Sequence, residues 1–230
     1  MFGTSMSLAK MSTQDFAGRW YVCDDGWLGT LTLDVVGEHD LAGTFASARF
    51  DEDYRVTAQA GTAADPHGIE LDIHDFNWMS AQHYVGHLFT RSHGMIAGFS
   101  KWKDVPFGFF ATRGTRRALS TYRPGTVRGD DFAGSWTAYL DGESVTIVTD
   151  FDRESGVLHG SCTGASGEYE VIGQPGQVVP HGISLTLRIP DNGPVAASLS
   201  GYLMSRPKNA ISGTMIIAEA AFGFVMIRYA

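Results

Sequence analysis

The chain has 230 residues, 43% of them apolar and 18% charged, enough for one large domain or two of about 100–120 residues each. Seventeen basic against 25 acidic residues leave a net charge of −8, which argues against nucleic acid or an anionic membrane as partner. No apolar run approaches the roughly 20 residues that span a bilayer. Met1 to Gln14 lacks the basic start and long apolar stretch of a signal peptide, and no Asn-x-Ser/Thr sequon occurs, so a cytoplasmic protein is expected.

Residues 1–14 read as a disordered tail. The first strand signal is Gly18-Arg19-Trp20-Tyr21, which runs into a turn at Asp25-Gly26. Further strands follow at Leu41–Ala48 and Tyr54–Gln59. Ile69, Leu71 and Ile73 then alternate with Glu70, Asp72 and His74, a period of two rather than 3.6. Gly86–Arg91 and Phe107-Gly108-Phe109 complete a unit over 15–113. Residues 114–130 form a linker with Arg116, Arg117, Arg123, Pro124 and Gly125.

The same pattern then starts again over 131–230. Asp15-Phe16-Ala17-Gly18-Arg19-Trp20 returns as Asp131-Phe132-Ala133-Gly134-Ser135-Trp136, and Pro66-His67-Gly68-Ile69 as Pro180-His181-Gly182-Ile183. Six such blocks recur in the same order 114–117 residues later, the signature of an internal duplication. Each copy carries eight short segments joined by turn signals such as Asp141-Gly142, and no helix. The expected fold is all-β: two tandem eight-stranded antiparallel up-and-down barrels, whose closure leaves no exposed edge. Cys23 and Cys162 fall in different copies and suggest no disulfide framework.

Gly18-Arg19-Trp20-Tyr21 and Leu41-Ala42-Gly43-Thr44-Phe45-Ala46-Ser47 resemble the first- and third-strand motifs of the avidin/streptavidin family, within the wider calycin group that includes lipocalins. The resemblance implies a barrel with a ligand cavity. It also implies that Trp20 and Trp136 each close one barrel end beneath an Arg of the last strand, Arg113 or Arg228, a cation–π pair worth about 0.5–2 kcal/mol. It does not extend to biotin. The family's biotin-contacting Asn is replaced by Val22 and Ala138, and its aspartate on the last strand corresponds to Phe110 and Val225.

In an up-and-down barrel alternate loops share one end. That end of the first copy gathers Trp27, Phe50, Trp78 with Met79, and Trp102, whereas the matching loops of the second copy hold no aromatic residue. Exposed Trp calls for something to cover it, either a ligand or a packing partner. Parity places Val22, Phe45, Ser47, Leu71, Ile73, Gln82, Tyr84, Ser100 and Phe110 inside barrel one, an apolar lining with four hydrogen-bonding groups. The counterparts in barrel two are Ala138, Cys162, Gly164, Leu185, Leu187, Ala197, Leu199, Met215 and Val225, which read as core filling.

His74, His83 and His87 form the most metal-like cluster, but parity puts His83 and His87 outside the barrel, and no metal site is assigned. No nucleophile elbow, phosphate-binding loop or dinucleotide fingerprint is present, and no cofactor is expected. Cys23 is a candidate reactive thiol or a small strand residue. The leading expectation is a binding protein for a small apolar or aromatic molecule. Trp27, Phe45, Ser47, Phe50, Leu71, Trp78, Gln82, Tyr84, Ser100, Trp102 and Phe110 are its candidate contacts. The rival is a cofactor-free cyclase or isomerase in the same pocket, with Tyr84, Asp24 or Asp25 moving a proton. A third reading makes the aromatic mouth a contact in a homodimer.

Overall fold

The computed structural model describes residues 11–49, 52–74, 81–114 and 125–228. Sixteen strands follow in order: β1 (Gly18–Asp24), β2 (Trp27–Val35), β3 (Asp40–Ser47), β4 (Asp53–Ala60), β5 (Gly68–His74), β6 (Ala81–Leu88), β7 (Met95–Trp102) and β8 (Val105–Thr112) in the first copy. The second copy supplies β9 (Gly134–Leu140), β10 (Glu143–Asp152), β11 (Val157–Gly164), β12 (Gly167–Pro175), β13 (Gly182–Arg188), β14 (Val195–Leu203), β15 (Ala210–Ile217) and β16 (Ala220–Ile227). Each set of eight pairs with its sequence neighbours and closes on itself, β1 against β8 and β9 against β16. The two tandem antiparallel barrels read from the sequence are therefore present. The helical elements among the described residues are two 3-10 turns, Thr13–Phe16 and Gly129–Phe132, one ahead of each barrel.

The period of two has its physical outcome here. On β1, Trp20 and Val22 point into the barrel core, and on β5, Ile69, Leu71 and Ile73 do the same. Trp20 and Trp136 are fully buried. The Trp20 indole donates to the Phe16 carbonyl at 2.8 Å, and the Arg113 guanidinium lies 4.3 Å from its ring centroid. Trp136 repeats this with the Phe132 carbonyl at 3.1 Å and Arg228 at 4.4 Å. Both expected Trp–Arg closures thus form, and the 3-10 turn before each barrel supplies the indole's acceptor. Met11 and Thr13, read from sequence as part of the tail, are buried. Thr13 donates to the Glu38 carbonyl, so ordered chain begins before the first strand.

The barrels meet through a pseudo-twofold contact. Asp25 in the β1–β2 turn accepts hydrogen bonds from the backbone N–H and the hydroxyl of Ser205 in barrel two. Asp141, its counterpart, accepts the same pair of bonds from Thr90 in barrel one. His181 stacks on Phe107 at 5.0 Å, and His67 stacks on Phe222 at 5.6 Å. Gly108 and Gly223 sit where the barrels press together. A Cβ on Gly108 would lie 2.6 Å from the Tyr202 carbonyl oxygen, and one on Gly223 would lie 2.8 Å from that of His87.

Between these contacts lies a separate apolar cluster of Cys23, Phe89, Ala97, Phe110, Met204, Ala210, Val225 and Ile227. Two sequence assignments are corrected by it. Phe110 and Val225 do not line barrel interiors; neighbouring Phe109 and Phe224 do. The motif parity was read one residue off, because the Phe-Gly-Phe glycine faces the other barrel and Phe110 shares that outward face. Cys23 also lies here, buried, with its Sγ 3.7 Å from the Met204 sulfur, and burial pushes its thiol up to about 12, which fits a packed strand residue and not a reactive thiol.

Asp141 is 1% exposed, and burial raises its pKa against the opposing pull of the Thr90 bonds. Asp141→Ala should strand the Thr90 N–H and lower unfolding free energy by about 1–3 kcal/mol, with Asp141→Asn recovering most of the loss. Urea denaturation of the three proteins measures it. Equal stability for wild type and Asp141→Ala would remove this bond pair from the account of how the barrels hold together.

Candidate functional site

A cavity of about 1120 Å³ opens at the end of barrel one that carries the β1–β2 turn. Its inner wall comes from barrel one: Asp24, Phe45, Ser47, Tyr54, Ile73 and Gln82. Trp27, Arg49 and Trp102 contribute from the mouth, and Phe107 from β8. The remaining wall is not part of the first barrel: Gly125, Thr126 and Val127 of the linker, with Pro180, His181, Ser205 and Arg206 of barrel two.

The polar floor is built by strand alternation. Asp24 ends β1 on the same face as Trp20 and Val22. Gln82 and Tyr84 share the inner face of β6, and Ser100 pairs directly across from Tyr84 on β7. Asp24 receives all three. Ser100 donates to its Oδ1 at 2.7 Å, while Tyr84 and Gln82 donate to its Oδ2 at 2.9 and 2.7 Å. The Gln82 amide also reaches Ser100 Oγ at 3.3 Å. The Tyr84 ring is fixed edge-on against Phe109, centroids 5.1 Å apart.

Burial dominates the electrostatics of this cluster. It raises the Asp24 carboxyl to about 6 despite three hydrogen bonds that favour the charged form, and neighbouring Asp25 pushes the same way. The Tyr84 phenol is raised well above its ordinary value by burial and by the facing Asp24. Asp25 is also raised by burial, opposed by its Ser205 bonds and by His181 and Arg206.

At the mouth, Trp27 carries two guanidinium groups against its ring, Arg49 at 4.2 Å and Arg206 at 3.8 Å. Part of the aromatic mouth is thus covered by Arg206 of barrel two. Trp102 remains 48% exposed. Phe45 and Tyr54 face each other inside, with ring centroids 6.5 Å apart. His181 lies on Phe107 and meets the Pro106 carbonyl at 2.6 Å through Nε2.

Of the residues singled out in the sequence, Trp27, Phe45, Ser47, Gln82 and Trp102 line the cavity with Asp24 and Asp25, and Tyr84 and Ser100 complete the floor. Leu71 does not reach the wall; it is buried with Trp20 and Leu31 deeper in the barrel core. Phe110 belongs to the inter-barrel cluster. Phe50 and Trp78 lie outside the described residues. Sequence reasoning missed Tyr54, Arg49, Phe107, His181, Ser205 and Arg206. Tyr54 was legible, since it pairs with Phe45 on β3. The residues from barrel two were not, because nothing local to them marks which mouth they face.

His83 and His74 lie on the outer face, bonded to Asp72 and Thr57, and His87 meets Asp65. Among the described residues no group of three His, Cys, Asp or Glu is arranged to hold a metal ion.

The duplication supplies an internal comparison. The positions of Asp24, Gln82, Tyr84 and Ser100 correspond to Leu140, Ala197, Leu199 and Met215 in barrel two, all buried in one apolar core. Trp27 corresponds to Glu143, which accepts from the Ser166 hydroxyl and pairs with Arg91 at 3.0 Å across the second mouth.

No protein-family model matches the chain, and no curated protein matches it. Among solved structures, a protein of unknown function from the DUF3598 family of Nostoc punctiforme aligns over 95% of this chain and 98% of its own, at 12% identity and a TM-score of 0.29. No helix among the described residues is long and apolar enough to cross a membrane.

Asp24 gives a pH signature. Its folded pKa, about 6, lies above the ordinary 3.8, so the folded state holds this proton more tightly than the unfolded chain. The resulting stability is complete below about pH 4 and is lost as pH rises through about 6, roughly 3 kcal/mol in all. Asp24→Asn should remove that fall, so that the variant gains on wild type between pH 4 and 7 in urea denaturation. Parallel curves would mean Asp24 titrates at its ordinary value and is not buried as described.

Proposed function

We propose that barrel one is a receptor for a small, largely apolar or aromatic molecule, and that barrel two is its structural partner. One observation carries this reading: a cavity enters barrel one above a polar floor, and the same four positions in barrel two are apolar and packed. A fold that needed only two stable barrels could use the second lining twice. The lining combines aromatic and aliphatic walls with a few fixed polar groups, the usual composition of a small-molecule site. The Gly-x-Trp openings and paired Trp–Arg closures support placing the barrels with the calycins, whose barrels hold ligands in this way. No biotin contact is proposed.

A second reading is favoured by Asp24. An acid that ionises near 6, buried beside Tyr84 at the floor of a cavity, is suited to giving or taking a proton at neutral pH. A cofactor-free cyclisation or isomerisation would need nothing more than that proton and a pocket that folds the substrate. Turnover of a bound compound, abolished by Asp24→Asn while binding persists, would select this reading over binding alone.

Native mass spectrometry of protein purified gently from its source should reveal a retained small molecule that quenches Trp fluorescence. Trp27→Ala removes one wall of the mouth and should weaken binding of such a compound about tenfold, or about 1.4 kcal/mol, with the fold retained by circular dichroism. Unchanged affinity would move the binding site away from the first mouth.

A further inference from the structure

The floor of the cavity contains an acid with no cation beside it among the described residues. Asp24 is buried, and its three partners, Ser100, Tyr84 and Gln82, are neutral donors. None of the ion pairs among the described residues involves it. Leu140 at the matching position of barrel two shows that the fold itself needs no charge there. A carboxylate without a cation in a buried site is costly, and the cost is relieved either by a proton or by a counter-charge.

Gln82 adds a further acceptor to the floor. Gln82 turns its amide nitrogen toward both Asp24 and Ser100, which leaves its side-chain carbonyl as an acceptor at the cavity wall. Phe45 and Tyr54 line the same cavity, and aromatic rings attract cations to their faces. The cationic groups of the cavity lie at the mouth instead. Arg49 and Arg206 rest on Trp27, and Arg206 with His181 offsets Asp25.

We infer that the molecule held by barrel one carries a protonated amine, which docks on Asp24 and the Gln82 carbonyl while its apolar body lies among Phe45, Tyr54 and Ile73. This rests on the receptor reading above. An anionic head would meet acceptors at the floor and could be satisfied only at the mouth, by Arg49 and Arg206.

The groups that face Asp24 are Asp25, the next residue, and Tyr84 from β6; its other partners, Gln82 and Ser100, do not titrate. Because Asp24 ionises near 6, preference for an amine should grow as pH rises through that value.

The test is calorimetric titration of the full chain with 2-phenylethylamine, tryptamine and dodecylamine, each beside the alcohol of the same skeleton, and with the corresponding carboxylates. At pH 7.5 each amine should bind at least tenfold more tightly than its alcohol, and this advantage should shrink severalfold at pH 5. In Asp24→Asn it should fall below twofold, the amines losing more affinity than the alcohols. The pH series on wild type decides the matter if the variant does not fold. Alcohols binding as well as amines, or an amine advantage independent of pH and of Asp24, would overturn the inference and leave the receptor standing. Carboxylates binding best would place recognition at the two arginines and overturn it as well. No binding in any series would count against the receptor reading itself.

Discussion

Closure of each sheet upon itself is the constraint from which the other features follow. Once β1 pairs with both β2 and β8, every side chain on a strand must face either the enclosed interior or the outside, with no edge as a third choice. Asp24 is buried because it shares the inner face with Trp20 and Val22. Cys23, one residue earlier, is buried for a different reason: its outer face is covered by barrel two. The Trp–Arg pairs at the far ends seal both interiors, so whatever enters barrel one does so by the aromatic mouth.

The duplication gives the second level of order. Two equivalent barrels turn equivalent surfaces toward each other, and the contacts come in matched sets: Asp25 with Ser205 and Asp141 with Thr90, His181 on Phe107 and His67 on Phe222. Symmetry of the contact does not extend to the interiors. At the second mouth Glu143 takes the place of Trp27 and is tied to Arg91 and Ser166, while Leu140, Leu199 and Met215 fill the space that Asp24, Tyr84 and Ser100 leave polar. One copy has a cavity with a hydrogen-bonding floor; the other places buried apolar residues at the matching positions, and lends His181, Ser205 and Arg206 to the wall of its twin's cavity.

Such a division of labour has an energetic logic. A cavity with a buried acid costs stability through lost packing and through desolvation of the carboxylate. A neighbour joined by an apolar cluster and two buried aspartate clamps offsets that cost, and it also supplies His181, Ser205 and Arg206 to the cavity wall. The asymmetry between the copies is visible residue against residue within a single chain, and it is what the proposed binding role of barrel one rests on.

The sequence by itself determined the duplication and the period-two strands, placed Trp27 and Trp102 at one mouth, and through its family resemblance implied the barrel-closing Trp and Arg pairs. The strands and the duplication depend on local alternation and on order along the chain, which the repeat displays twice. Parity also brought Gln82, Tyr84 and Ser100 to one interior. Only the tertiary structure decided that Asp24 is their common acceptor, since a carboxylate beside a turn looks solvated until four strands close around it. Only it showed that Phe110 serves the contact between barrels, because an outward apolar residue is indistinguishable from an inward one until something covers the outside. The wall lent by barrel two was equally hidden, for no local pattern records how two rigid bodies come to rest against each other.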